Sequence, residues 1–235
     1  MTHPRLSRLV CGPVCLLLLF ALCLPARAAQ RADPFEQLFN CRAFPAGPKD
    51  FPAYLEKHWT RVLAAEQARP CLQRAASCLP RADASQWLYL AGKAPAMDEM
   101  TLLRSVTAFF NKFPPASDME NYGVKDRWPT LADFFSRRSG DCKAYTLSKY
   151  FALRVLGLQD DKLRIVLVHM PERKANHAVL AVNTAKGIYI LDNNTRPIDL
   201  ILPQEKFASR FIPLYMLNAQ GRWTFRQNPA LLTSK

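Results

Sequence analysis

A cysteine at the start of a helix, a histidine at the start of a strand and an aspartate at the end of the next strand are the groups here that could together attack a carbonyl. The cysteine is Cys142, within Arg138-Ser139-Gly140-Asp141-Cys142-Lys143-Ala144-Tyr145. Ser139 or Asp141 caps a helix by accepting a hydrogen bond from an otherwise unpaired backbone N–H. Ala144, Leu147, Tyr150, Phe151 and Val155 then recur at roughly helical spacing, and Gly157 stops the helix. Cys142 is thereby placed at the positive end of a helix dipole, a setting that favours thiolate over thiol. Lys143 beside it either adds to that effect or points to solvent.

A cysteine nucleophile needs a base to take and return its proton, and the base needs a group that fixes its orientation. Two histidines follow Cys142 in the chain, His169 and His177. His177 opens the strand-like run His177-Ala178-Val179-Leu180-Ala181-Val182, and Asp192 closes Ile188-Tyr189-Ile190-Leu191-Asp192. An even-length turn through Ala185-Lys186 opposes Val179 to Asp192 and His177 to Asn194. Side chains alternate along a strand, so His177 and Asp192 then share a face as diagonal neighbours, roughly 7–8 Å apart along the backbone. An odd turn would send them to opposite faces. His169 competes as the base, and Asp199 competes as the orienting carboxylate.

The elements that must position these groups divide by periodicity. Helical spacing runs over about 51–67, with Tyr54, Leu55, Trp59, Val62 and Leu63 as its apolar stripe, then over 84–90 and 97–113, divided by Pro95. His58 reads as a surface or boundary residue with nothing to pair it, and 118–125 as a polar loop. Thr130, with Asp133 three residues on, caps a further helix just before Gly140. After the cysteine helix the period shortens: 163–169, 177–182 and 187–192 are short and β-rich. A last helix is expected over 202–211, then a hairpin of 212–217 and 223–225 around Asn218-Ala219-Gln220-Gly221. Helices first and an antiparallel sheet second make an α+β domain.

Residues 1–28 read as a signal peptide: Arg5 and Arg8 precede an apolar run from Val10 to Leu24, and Ala26-Arg27-Ala28 supplies a small-x-small cleavage site. The rest, 29–235, reads as one exported domain, with no other run long enough to span a membrane. The formal charge of +13 falls to +10 on cleavage, because Arg5, Arg8 and Arg27 leave and no acidic residue does. The basic residues are scattered and no groove interleaves them with aromatics, which argues against nucleic acid as a partner. Cys41, Cys71, Cys78 and Cys142 survive cleavage into an oxidising compartment. Cys71 can bridge to Cys78 if the loop between Pro70 and Pro80 folds back, and Cys41 could pair with either. Their spacing matches no zinc quartet.

The ordered set Phe110-Asn111, Tyr122-Gly123, Trp128-Pro129-Thr130, Gly140-Asp141-Cys142, Lys149-Tyr150, His177-Ala178-Val179-Leu180 and Leu191-Asp192-Asn193 resembles the bacterial transglutaminase-like cysteine proteinase family. That resemblance implies a papain-like/transglutaminase-like fold, in which a nucleophile-bearing helix packs on an antiparallel sheet. It implies Cys142 as nucleophile, His177 as general base and acid, and Asp192 as orienting group, with the Cys142 backbone N–H as first oxyanion donor. It further implies peptide hydrolysis in the periplasm and a protein substrate such as a surface adhesin that holds a biofilm. An inner-membrane regulatory protein is implied as a partner. Family members that bind calcium usually follow Gly-Asp-Cys with two acidic residues, and here Lys143 and Ala144 stand instead. Calcium prefers six to eight oxygen ligands, so the expectation is a protein that works without calcium or any other cofactor, or one whose regulation differs. Acyl transfer to an amine, as in transglutaminases, and a non-catalytic envelope-binding module are the alternatives that share this fold.

Overall fold

The computed structural model describes residues 33–194 and 200–225. The expected signal peptide and Asp199 lie outside the described residues. A short strand pair opens the chain, β1 (Gln37–Leu38) and β2 (Cys41–Pro45). The helices follow: α1 (Ala53–Ala68), α2 (Ala75–Cys78), α3 (Arg81–Lys93), α4 (Glu99–Asn111), α5 (Asp118–Tyr122), α6 (Leu131–Arg137) and α7 (Cys142–Val155). The remaining strands are β3 (Leu163–Met170), β4 (Ala175–Thr184), β5 (Gly187–Leu191), β6 (Ile201–Pro203), β7 (Ile212–Leu217) and β8 (Arg222–Phe225). The pairings between these strands are antiparallel, in the order β1-β2-β8-β7-β3-β4-β5-β6.

Side-chain alternation gives the sheet two apolar faces. Ile165, Leu180, Val182, Leu191 and Leu217 pack with the helices, around Trp59, Phe110, Phe134, Tyr145 and Tyr150. Val166, Val168, Val179, Ala181, Ile190 and Met216 pack on the other side with Phe35, Phe39, Phe207 and Phe211. Burying both faces is why β3 and β4 read as nearly continuous apolar runs. Among the described residues no helix is long and apolar enough to cross a membrane.

Local chemistry sets the helix boundaries. Thr130 and Asp133 form a reciprocal capping box at α6, each side chain accepting from the other's backbone N–H. Ser117 and Glu120 do the same for α5, so the expected polar loop over 118–125 begins as a helical turn. The loop between α1 and α3 folds back on itself: Cys71 and Cys78 form a disulfide with Cα atoms 5.4 Å apart, and Cys41 and Cys142 are free thiols. The helix expected over 202–211 is absent. There β6 joins the sheet edge, and a single 3-10 turn at Gln204–Lys206 leads to Phe207 and Phe211, whose rings stack at 5.1 Å. Their four-residue spacing matched a helix, but it serves to seat two rings under the sheet.

Candidate functional site

The first turn of α7 carries the thiol, and its start is fixed tightly. The Asp141 side chain caps the helix, Oδ1 accepting from the Ala144 N–H at 3.1 Å. Gly140 immediately before it has no room for a side chain: a Cβ there would lie 2.5 Å from the Ala144 Cβ. Its carbonyl accepts from the Ala116 N–H at 2.9 Å, tying the turn to the segment after α4. Cys142 therefore has a backbone position fixed from two sides.

The strands bring the other two groups to it. Leu180 opposes Leu191 and Thr184 opposes Gly187, the even-turn register, so His177 and Asp192 share a face. His177 Nε2 meets Asp192 Oδ1 at 2.7 Å, with both residues buried. The same oxygen accepts from the backbone N–H groups of Asn193 at 2.7 Å and Asn194 at 3.1 Å. Nδ1 is then the imidazole nitrogen left for sulfur, and the ring hydrogen-bonds Cys142. Burial pulls the imidazole down, but the hydrogen bonds to Asp192 and Cys142 and their charges outweigh it, raising His177 to about 9. Burial pushes the Asp192 carboxyl up, and the bond to His177, the imidazolium and Lys149 more than offset that, leaving it below its ordinary value. The ring of Phe211 closes over His177 at 5.9 Å.

His169 lies elsewhere, its Nδ1 3.1 Å from the Asn176 amide oxygen. A cleft of about 240 Å³ opens beside the thiol, between Tyr54, Trp128, Cys142, Leu167, His177 and Tyr215. His58 is not unpaired as expected: it stacks on Trp128 with ring centroids 6.1 Å apart, and its Nε2 is 3.9 Å from Asp126. Lys143 does not point to solvent. Its ammonium sits among three carboxylates, 3.0 Å from Asp118, 3.3 Å from Asp126 and in contact with Asp141. Burial opposes the charge, but Asp141 and Asp118 hold the Lys143 pKa above the ordinary lysine value.

Two further residues escaped the sequence reading of roles. Asn111 Nδ2 and Lys149 Nζ both donate to the main-chain carbonyl of Asp192, at 2.9 and 3.2 Å. Both stood in the motif set, but their types and spacing carried no sign that they converge on one carbonyl.

A thiol on a helix tip, packed against an antiparallel sheet that carries histidine and aspartate, is the architecture of papain-like and transglutaminase-like enzymes. The bacterial transglutaminase-like cysteine proteinase family matches residues 66–227, so the chain belongs to that family and is a cysteine peptidase. Among solved structures, calcium-bound LapG of Legionella pneumophila is similar, at 25% identity and TM-score 0.53 over 65% of this chain and 85% of that one. EGTA-treated LapG gives 24% and 0.54, over 66% and 84%. No curated protein matches the chain.

The calcium-bound LapG structure corrects the expectation of no cofactor, since a protein of this fold binds calcium. Asp118, Asp126 and Asp141 converge here, yet among the described residues no group of acidic, histidine or cysteine side chains is arranged to hold a metal ion. The cation that the structure places among them is the Lys143 ammonium. A divalent ion would have to displace it. Asp118 and Asp126 are remote from Cys142 in sequence and reach this turn only through the fold.

Proposed function

We propose that the protein is a periplasmic peptidase whose triad is Cys142, His177 and Asp192, acting on a large envelope or surface protein of the adhesin type. The 2.7 Å contact between His177 and Asp192, beside Cys142 in an open cleft, carries this reading. The Cys142 thiolate attacks the peptide carbonyl, a C–S bond forms, and the oxyanion is received by the Cys142 backbone N–H at the tip of α7. The His177 imidazolium gives its proton to the leaving amine as the C–N bond breaks. The neutral ring then takes a proton from water, which hydrolyses the thioester and frees the thiol. Asp192 holds the ring in one tautomer and stabilises its charged form throughout. Calcium would reach Asp118, Asp126 and Asp141 only if the Lys143 ammonium left them. The apolar run from Val10 to Leu24 and the Ala26-Arg27-Ala28 site support export with loss of residues 1–28, and the resemblance supports an inner-membrane regulatory partner.

The test is to incubate envelope proteins with the wild type, Cys142→Ala and His177→Ala, then map new N-termini by mass spectrometry. Cleavages made by the wild type alone are expected. Equal cleavage by Cys142→Ala overturns the proposal, and capture of a labelled amine in place of water assigns acyl transfer.

A further inference from the structure

Helix α7 carries more than the thiol toward the sheet. Cys142, Thr146 and Lys149 follow one another at i, i+4 and i+7, so they line one face of the helix. Thr146 Oγ1 donates to the Ala178 carbonyl at 3.0 Å, on the residue next to His177. Lys149 Nζ donates to the Asp192 carbonyl at 3.2 Å. One rigid stripe thus holds the nucleophile and grips the backbone beside His177 and at Asp192.

The Asp192 carbonyl needs such partners. The β4–β5 pairing ends at Leu180 and Leu191, and the β5–β6 pairing at Leu191 and Ile201, so Asp192 lies one residue beyond both ladders. A buried carbonyl without a donor is costly. Asn111 from α4 supplies one donor and Lys149 the other. Lys149 is 1% exposed, an exceptional setting for an ammonium. The charged group facing it from the sheet is Asp192, with His177 beyond that carboxylate. Asn111 from α4 and the Tyr145 ring from its own helix, 5.9 Å away, are neutral. Burial draws the lysine down to about 7 against the pull of Asp192, whose carboxyl it helps to keep ionised. An apolar side chain of similar length would fill the same space without burying a charge. What such a side chain could not do is hold the strand end and keep negative charge on the Asp192 carboxylate.

We propose that Lys149 is a positioning residue of the peptidase: together with Asn111, its Nζ clamps the Asp192 main chain at the end of β5 and so aims the carboxylate at His177. The helix that carries the nucleophile thereby also sets the orienting group. This rests on the triad reading above.

The experiment follows alkylation by iodoacetamide at the Cys142 peptide, read by mass spectrometry across pH, beside thermal melting. Lys149→Met is expected to slow alkylation at neutral pH at least tenfold and to change its pH profile, while the melting temperature holds or rises. In an Asp192→Asn background the same change is expected to add less than twofold, because both act through one carboxylate. Wild-type rate and profile in Lys149→Met overturn the proposal, as does an undiminished effect in Asp192→Asn. If Lys149→Met does not fold, Asn111→Leu removes the other donor to the same Asp192 carbonyl, with a tenfold slowing expected and an unchanged rate and profile overturning. A wild type without a fast-reacting Cys142 would defeat the triad reading itself. A fast wild-type thiol that Lys149→Met leaves fast defeats only this inference.

Discussion

Replacing Asp192 with asparagine tests the proposed triad most directly, because it keeps the shape of the side chain and removes its charge. In the wild type His177 lies at about 9 instead of 6.5, which is about 3 kcal/mol of preference for the charged ring. That figure is what remains after burial has subtracted its share, and the bond to Asp192 is the largest contribution holding the ring up. Without that charge the ring is left to burial and to Cys142, and it should titrate about two pH units lower. At pH 8 the charged fraction then falls roughly tenfold. An amide that can turn its NH2 toward the ring also disturbs the tautomer, so hydrolysis should fall about 100-fold or more. The assays are the NMR titration of His177 and the pH profile of Cys142 alkylation.

Stability should follow the same two groups. The raised His177 contributes in full below 6.5 and loses that contribution as pH climbs through about 9. The lowered Asp192 contributes above the ordinary carboxyl pKa and loses it as pH falls through its own depressed value. Asp192→Asn should therefore flatten both limbs of the melting-temperature profile. A His177 that still titrates near 9 in the variant, with alkylation within threefold of the wild type, would refute the reasoning.

Two further changes probe how the thiol-bearing turn is held. Gly140→Ala places a methyl 2.5 Å from the Ala144 Cβ, and relief requires moving the start of α7. About 1–3 kcal/mol of stability, or roughly 3–10 °C in Tm, should be lost together with Cys142 reactivity; an unchanged melt would show that the turn has slack. Lys143→Ala leaves Asp118, Asp126 and Asp141 facing one another. It should cost about 2–4 kcal/mol at neutral pH, less in acid as the carboxyls protonate. Isothermal titration should show calcium affinity at least tenfold above the wild type, and an affinity equal or weaker would mean that ammonium and calcium do not compete for these carboxylates.

What could be read without coordinates follows from the range of each signal. The partnership of His177 with Asp192 was legible only conditionally: strand alternation is a local rule, but the parity of the turn is known from the register that sets Thr184 opposite Gly187. The capped starts of α6 and α7 were legible because Thr130 with Asp133, and Asp141 with Ala144, interact within four residues. Local rules failed where a pattern had two meanings, as when Phe207 and Phe211 suggested a helix and turned out to be a stacked pair under the sheet. They were silent where the partner is remote. Nothing near β2 announces that it will pair with β8, some 180 residues later.

The lysines show most plainly why the rest was hidden. A lysine read alone belongs to solvent, because removing its charge from water is expensive unless a partner is waiting. For Lys143 the partners come from positions 118, 126 and 141, and for Lys149 from 111 and 192. Neither set has a spacing rule, since each is assembled by the packing of α4, α5 and the sheet around α7. The same helix that displays the thiol therefore spends two of its cations inward, one on the turn that starts it and one on the strand that ends beside its histidine. A site whose reactive groups obey local rules is thus held in register by contacts that obey none. Mutations at those contacts should alter thiol reactivity without removing any of the three groups proposed to perform the chemistry.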